Sequence, residues 1–138
     1  MQDAAIVASL FDAYRMFYQQ ASDMKGTTKF ITERLQQNES AIFIAFISNA
    51  AVGFTQLYPI FTSVGMQRAW LLNDLFVAST QRGKGIATAL LDAAKDFGRS
   101  TSSKWLMLQT GRENLSAQAL YEKNGWHKET DIFYSISL

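Results

Sequence analysis

Residues 71–91, LLNDLFVASTQRGKGIATALL, constrain the fold more than any other stretch. An apolar run ends at Val77, a polar loop occupies 79–84, and an amphipathic segment begins at about Gly85. This pattern predicts strand, glycine loop and helix in direct succession. A helix that starts at a glycine loop presents backbone N–H groups without intrahelical partners, together with the positive end of its dipole. The two form an anion site suited to phosphate. Gly83 and Gly85 let the main chain approach a ligand closely, and Ala87 stays small for the same reason. Thr88 offers a hydroxyl, and Arg82 and Lys84 bring positive charge. Gly-x-Gly alone is equally served by an ordinary βα turn with glycines for tightness. Two other phosphate loops are excluded. GxxxxGK[ST] does not occur. The dinucleotide pattern GxGxxG meets Thr88 where its third glycine belongs, and the next strand ends in Gln109 rather than an acid.

The flanking sequence supplies the remaining elements. Residues 3–22 read as a helix with Ile6, Leu10, Ala13 and Phe17 on one face. Residues 28–37 read as a second helix, with Thr27 or Thr28 as its cap. Ala41 to Ile47 and Val52 to Tyr58 are strands joined by a turn, the second limited by Pro59. Gln67 to Val77 is a third strand in which polar Asn73-Asp74 breaks an apolar run. The helix after the glycine loop, to about Arg99, turns Ile86, Leu90, Ala94 and Phe97 inward. Lys104 to Gln109 has the near-continuous apolarity of a strand covered on both faces. A short helix at 116–124 places Ala117, Leu120 and Tyr121 on one side and stops at Gly125. DIFYSIS near the C-terminus reads as a closing strand. The order α-α-β-β-β-α-β-α-β defines a mixed α/β protein with one domain over residues 1–138.

Composition removes several functional classes. The chain has no cysteine, which excludes a disulfide framework, a zinc–thiolate site and a cysteine nucleophile. One histidine cannot build a multi-histidine metal site, so no metal is expected. Thirteen basic against twelve acidic residues leave a formal net charge of +1, which gives no bulk attraction for nucleic acid or an anionic membrane. The N-terminal sequence lacks a basic n-region, and the apolar runs fall far short of the roughly 20 residues needed to span a bilayer. The expectation is a soluble, cytoplasmic protein.

Two motifs give the chain a family resemblance. Arg82-Gly83-Lys84-Gly85-Ile86-Ala87 follows the strand end Leu75-Phe76-Val77. Asn114, Ala117, Leu120, Tyr121, Gly125 and Trp126 match N-x-x-A-x-x-L-Y-x-x-x-G-[FW]. In this order and separation they resemble the GNAT superfamily of N-acetyltransferases, over roughly residues 5–138. The Asp-Leu-Phe-Val stretch is similar to the diamine (spermidine/spermine) acetyltransferase branch, although Asn73 replaces the Glu of that branch's Glu-Asp pair. The resemblance implies a GNAT-like fold with a mixed, mostly antiparallel sheet flanked by helices. That fold opens with an edge strand, whereas here a helix begins almost at Met1, so the expectation is either that the first edge strand is missing or that the natural chain starts further upstream. It also implies acetyl-CoA as donor, with pyrophosphate on Arg82 and the amides of Gly83, Lys84, Gly85, Ile86, Ala87 and Thr88. The pantetheine arm would run along Leu75, Phe76 and Val77, entering where a bulge splays that strand from Lys104–Gln109. Asn114 and Ala117 become cofactor contacts. A homodimer becomes a possible assembly.

Acetyl transfer sets the chemistry. An amine of pKa about 10.4 must lose a proton before it can attack. Asp74 is the candidate base or acceptor anchor, with ion pairing to Arg68 as its plain alternative. The oxyanion needs an N–H, which the strand bulge could supply. Tyr121 occupies the family's general-acid position and can supply a proton to the leaving thiolate; a core aromatic is its plain alternative. Asn73, Asp74, Tyr14 and Tyr18 are the candidate acceptor contacts, and a primary amine on a small molecule is the expected acceptor. A non-catalytic acyl-CoA-binding module, a regulator holding another nucleotide, and an acetyltransferase of protein amino groups are the competing readings.

Overall fold

The structure, a computed structural model, describes residues 2–138. Helices α1 (Gln2–Phe17) and α2 (Met24–Gln36) precede three strands, β1 (Ala41–Ile47), β2 (Ala50–Thr62) and β3 (Gln67–Val77). A single 3₁₀ turn (Ser79–Gln81) leads to α3 (Ile86–Ser100), then β4 (Leu106–Met107) and α4 (Leu115–Lys123). The sheet order is β1-β2-β3-β4, antiparallel as far as β3 and parallel between β3 and β4. Among the described residues β1 is the first edge of the sheet.

Two apolar clusters sandwich the sheet. On one face Ala4, Val7 and Leu10 of α1 and Ile31 of α2 close over Phe54. On the other, Leu91 and Ala94 of α3 pack against Leu57, Trp70 and Leu72. The buried stripe of α1 is therefore Ala4, Val7, Ala8 and Leu10, with Ile6 and Phe17 outside it. Both stripes have spacings of three and four, so periodicity alone could not choose between them.

Several boundaries move for local reasons. The cap of α2 is Asp23, whose carboxylate accepts from Gly26 N–H at 2.8 Å, not Thr27 or Thr28. Strand β2 runs through Pro59, because pairing with β1 has already ended at Ala41–Leu57. A missing N–H on that flank breaks no ladder bond. Strand β4 shrinks to two residues of the expected six. The largest departure is at the C-terminus, where DIFYSIS forms no strand and stays exposed.

The bulge in β3 positions the site. Gln56 pairs with Asp74 and Leu57 with Leu72, which leaves Asn73 as the extra residue. A bulge re-aims the side chains beyond it. Leu72 and Leu75 face the α3 cluster, whereas Phe76 joins the α1 cluster and Asp74 reaches Tyr14 of α1. Without the bulge, with Asn73 as an ordinary ladder residue, strict alternation would put Leu72, Asp74 and Phe76 on one face. This is why a polar pair interrupts an apolar strand.

Candidate active site

The glycine loop has the conformation an anion site needs. Gly83 and Gly85 lie at φ +77° and +79°, the left-handed region that favours glycine. A Cβ at either position would meet nothing within 4 Å, so the space in front of the loop is open. Gly85 is the N-cap of α3 and supplies no side-chain acceptor, which leaves the first amides of the helix uncapped. Acyl-CoA pyrophosphate fits this feature, as an acceptor for those N–H groups. Lys84 reaches Gln81 at 2.8 Å on the surface of the loop. Arg82 is pinned: its Nε donates to the Val77 carbonyl at 3.1 Å, and its guanidinium lies 5.3 Å from the Phe17 ring centre and 5.9 Å from that of Phe76. Phe17, expected in the core, serves instead as this platform.

A groove runs from the loop along β3. Strand β4 pairs with β3 only at Trp70–Leu106 and Leu71–Met107. Beyond Leu71, residues 72–77 continue without a strand partner on that side, so the two strands part where an arm of pantetheine is expected. Leu75 and Phe76 are half-buried along this stretch and Val77 is buried.

Asp74 lies beneath the bulge and is only 5% exposed. Gln56 Nε2 donates to its Oδ2 at 2.8 Å, and Asn73 Nδ2 to its Oδ1 at 3.2 Å. Burial raises the Asp74 pKa above the ordinary carboxylate value, against the pull of these two hydrogen bonds and a smaller one from the Tyr14 hydroxyl. The same burial raises Tyr14, and drives Tyr58, which accepts from Gln56 Nε2 at 3.0 Å, up to about 12. Arg68 is not the partner of Asp74; it stacks over Phe61 and Trp70.

Tyr14 also packs edge-on against Tyr18 at 5.0 Å, and Tyr18 is largely exposed at the end of α1. Tyr121 is half-buried on α4, with its ring 6.3 Å from that of Trp126. Burial raises its pKa, and Tyr18 adds a smaller push in the same direction. Tyr14, Tyr18, Asp74 and Tyr121 are thus linked in one chain of influence, with exposed Asn73 beside Asp74. Tyr121 stays protonated at neutral pH. A phenol above its usual value of about 10 is a weak acid toward a thiolate of pKa about 8.5, so such a group is suited to donating a hydrogen bond rather than giving up its proton.

Asn114 caps α4 by accepting from Ala117 N–H at 3.2 Å. Asn124, at the other end of α4, donates weakly to the Thr88 hydroxyl at 3.4 Å and ties that helix to the first turn of α3. The sequence reading missed Gln56, Tyr58 and Ser40, the last of which donates to Gln56 Oε1 at 2.7 Å. Gln56 had a visible signal, being a polar residue inside an apolar strand, as Asp74 is. A separate concavity of about 480 Å³ opens between α1, α2 and β1, but Asp3 is its sole charged lining residue. It lacks the convergent polar groups of the β3 groove. Among the described residues no cluster of three or more metal-ligating side chains occurs, and no helix is long and apolar enough to cross a membrane.

The model of the acetyltransferase (GNAT) family matches residues 7–126, and the chain belongs to that family. An uncharacterized N-acetyltransferase of Bacillus subtilis, YhfO, is 49% identical over 132 residues, covering 96% of this chain and 89% of the relative. The crystal structure of a probable acetyltransferase superposes with a TM-score of 0.95 at 33% identity, over 100% of this chain and 93% of the other. A ribosomal-protein-alanine N-acetyltransferase from Brucella melitensis biovar Abortus 2308 superposes at 0.81 with 26% identity, over 99% and 94%. The protein is an N-acetyltransferase with a single-domain α/β GNAT fold.

Proposed function

We propose that residues 1–138 act as one domain that moves an acetyl group from acetyl-CoA to a primary amine of a small molecule, with both substrates bound together. The observation that carries this reading is the bulge at Asn73, which sets a buried carboxylate at the end of a groove leading from an uncapped helix. Acetyl-CoA supplies the activated thioester. The first amides of α3, with Lys84 and Arg82 beside them, hold its diphosphate. The half of β3 left without a strand partner, Leu75 to Val77, offers backbone to the pantetheine arm. Asn114 and Ala117 line the opposite wall.

Asn73 and Tyr18 meet the incoming amine at the mouth. Asp74 accepts its proton by way of the Tyr14 hydroxyl, and a raised pKa makes the carboxylate a better base than an ordinary one. Tyr121 donates to the leaving sulfur. No covalent acyl-enzyme is required. The Asp-Leu-Phe-Val likeness to the diamine branch and the buried negative charge both favour a cationic amine. The likeness to a ribosomal-protein-alanine acetyltransferase supports a second reading, in which the amine is a protein N-terminus.

A free-thiol assay with acetyl-CoA, a panel of small amines and a set of N-terminal peptides tests both. Thiol release that depends on a small amine is expected. Release with peptides alone would move the assignment to the second reading, and tight acetyl-CoA binding without release would overturn both.

A further inference from the structure

Strand β2 surrounds Asp74 with more polar contact than its apolar neighbours would lead one to expect. Along this strand Phe54, Gln56 and Tyr58 alternate on the α1 face, and Thr55 and Leu57 on the α3 face. Thr55 and Gln56 are both fully buried. A buried amide is destabilising unless its groups are hydrogen-bonded. In Gln56 they are. Nε2 donates to Asp74 Oδ2 at 2.8 Å and to the Tyr58 hydroxyl at 3.0 Å, and Oε1 accepts from Ser40 Oγ at 2.7 Å. The Thr55 hydroxyl donates to the Asp74 carbonyl at 2.8 Å. Two consecutive residues of β2 therefore hold one residue of β3, by main chain and by side chain, where the bulge interrupts the ladder.

An amide has a donor end and an acceptor end of nearly the same shape. Ser40, the residue before β1, decides which end faces Asp74. By giving its hydroxyl proton to Oε1 it turns Nε2 toward the carboxylate. The reverse orientation would set two buried acceptors against each other. A line of hydrogen bonds thus crosses the sheet from the start of β1 through β2 to β3. On the far side of Asp74, exposed Asn73 makes a longer bond to Oδ1, at 3.2 Å. The ion pairs among the described residues leave Asp74 out. The titratable groups around it are Tyr14 of α1, with Tyr18 behind, and Tyr58 of β2, with Arg34 of α2 beyond. The two carboxylate oxygens are unequal: Oδ2 meets a locked donor, and Oδ1 faces the mouth.

We propose that Ser40, Thr55 and Gln56 are positioning residues for acetyl transfer: Thr55 and Gln56 clamp Asp74 at the bulge, and Ser40 locks the Gln56 amide so that Oδ1 is the oxygen that takes up the amine's proton. This role rests on the reading of Asp74 as the base. An oxygen that receives the stronger hydrogen bond is the less basic of the two. Tyr14 passes its hydroxyl proton to Oδ1 as its own oxygen takes one from the ammonium. The nitrogen lone pair is freed, and the phenol ends as it began. Gln56 has no proton to exchange at neutral pH, so it acts only through Asp74.

The test follows the Asp74 carboxyl itself, by carbon NMR of the full chain labelled with carboxyl-¹³C aspartate, with Asp74→Asn to assign the signal. Gln56→Met removes the donor at similar volume and should move the Asp74 titration toward higher pH by about one unit. Gln56→Glu keeps an acceptor for Ser40 but sets a second carboxylate beside the first, so its displacement should be larger. Ser40→Ala, the mildest change, should give a smaller displacement, and Ser40→Thr, which keeps the hydroxyl, should recover it. In steady-state assays with acetyl-CoA and the small amine that releases most thiol, Gln56→Met should lower kcat by about tenfold with the KM for acetyl-CoA preserved. Ser40→Ala remains informative where Gln56→Met fails to fold. An Asp74 signal that titrates as in wild type in Gln56→Met and Ser40→Ala, or Ser40→Thr no better than Ser40→Ala, would overturn the clamp. Full turnover by Asp74→Asn would instead remove the base, a separate failure.

Discussion

The two strand–helix units on either side of the groove, β3–α3 and β4–α4, begin from similarly apolar sequence and finish differently. Strand β3 pairs with β2 from Gly53–Val77 to Thr62–Gln67, and α3 buries Leu90, Leu91, Ala94 and Gly98. Strand β4 has two paired positions, and no residue of α4 is buried. The first unit is rigid enough to hold main-chain amides and a re-aimed carboxylate in fixed places. The second is a more open wall, held by few contacts. On the proposed function, the anion chemistry comes from the well-packed half and the donor hydroxyl of Tyr121 from the open one.

The strongest way to break this division is at Gly85. Gly85→Asp puts a carboxylate at the N-cap of α3, where it can accept from the amides of the first turn. The helix is then capped by its own chain, and the place of the diphosphate is taken by a negative charge. Its φ of +79° costs a non-glycine residue about 1 kcal/mol, which the new cap largely offsets. Loss of acetyl-CoA affinity by about 1,000-fold or more, with a melting temperature little changed, is the expected result of calorimetric titration and thermal unfolding. Retained binding would move the diphosphate away from the loop.

Next in size is Asp74→Asn. Whichever way the new amide turns, one N–H group faces a donor, Gln56 Nε2 or Asn73 Nδ2. A stability loss of about 1–3 kcal/mol follows. Turnover should fall by about 100-fold, the usual yield of a positioned base. The acid limb of the wild-type kcat/KM profile, displaced above the ordinary carboxylate range, should disappear with it. An unchanged profile would leave Asp74 a structural residue.

Tyr121→Phe compares the two halves directly. It removes one hydroxyl from the open wall and leaves the loop untouched. A fall in kcat of about tenfold, with acetyl-CoA affinity preserved, is expected from loss of a single hydrogen bond to developing charge. Steady-state kinetics beside equilibrium titration checks both. Equal losses in the two quantities would make Tyr121 a packing residue.

The same contrast explains what could be read from sequence. Strand β3 and helix α3 were legible because their apolar residues are satisfied within the chain, so local periodicity and tertiary burial agree. The polar break at Asn73-Asp74 announced a special position. That it is a bulge follows only from the register of β2, which no local pattern carries. The buried stripe of α1 was misassigned because Phe17 is drawn out to Arg82, a contact made across the fold. DIFYSIS has the alternation of a strand, but alternation says nothing about whether a sheet edge pairs with it. Ser40, Gln56 and Tyr58 were missed because they act by surrounding Asp74, and sixteen residues of sequence separate Ser40 from Gln56.

The smallest expected effect is thermodynamic, and it tests the buried carboxylate without any substrate. Asp74 holds its proton more tightly in the folded chain than in the unfolded one, where a carboxyl near 3.9 applies. Between those two values the unfolded state releases a proton that the native state keeps. Stability from this group is therefore fully present below about 3.9, declines as pH rises through the folded value, and is flat above it. The sign is opposite to that of an ion-paired acid, whose contribution grows with pH. Denaturant unfolding across the acid range, on wild type and Asp74→Asn in parallel, isolates the term as the difference between two curves. The wild type should lose stability relative to the variant as pH climbs through the window. A difference of the opposite slope would mean that hydrogen bonds from Gln56, Asn73 and Tyr14 outweigh burial, leaving a carboxylate too well satisfied to serve as a base.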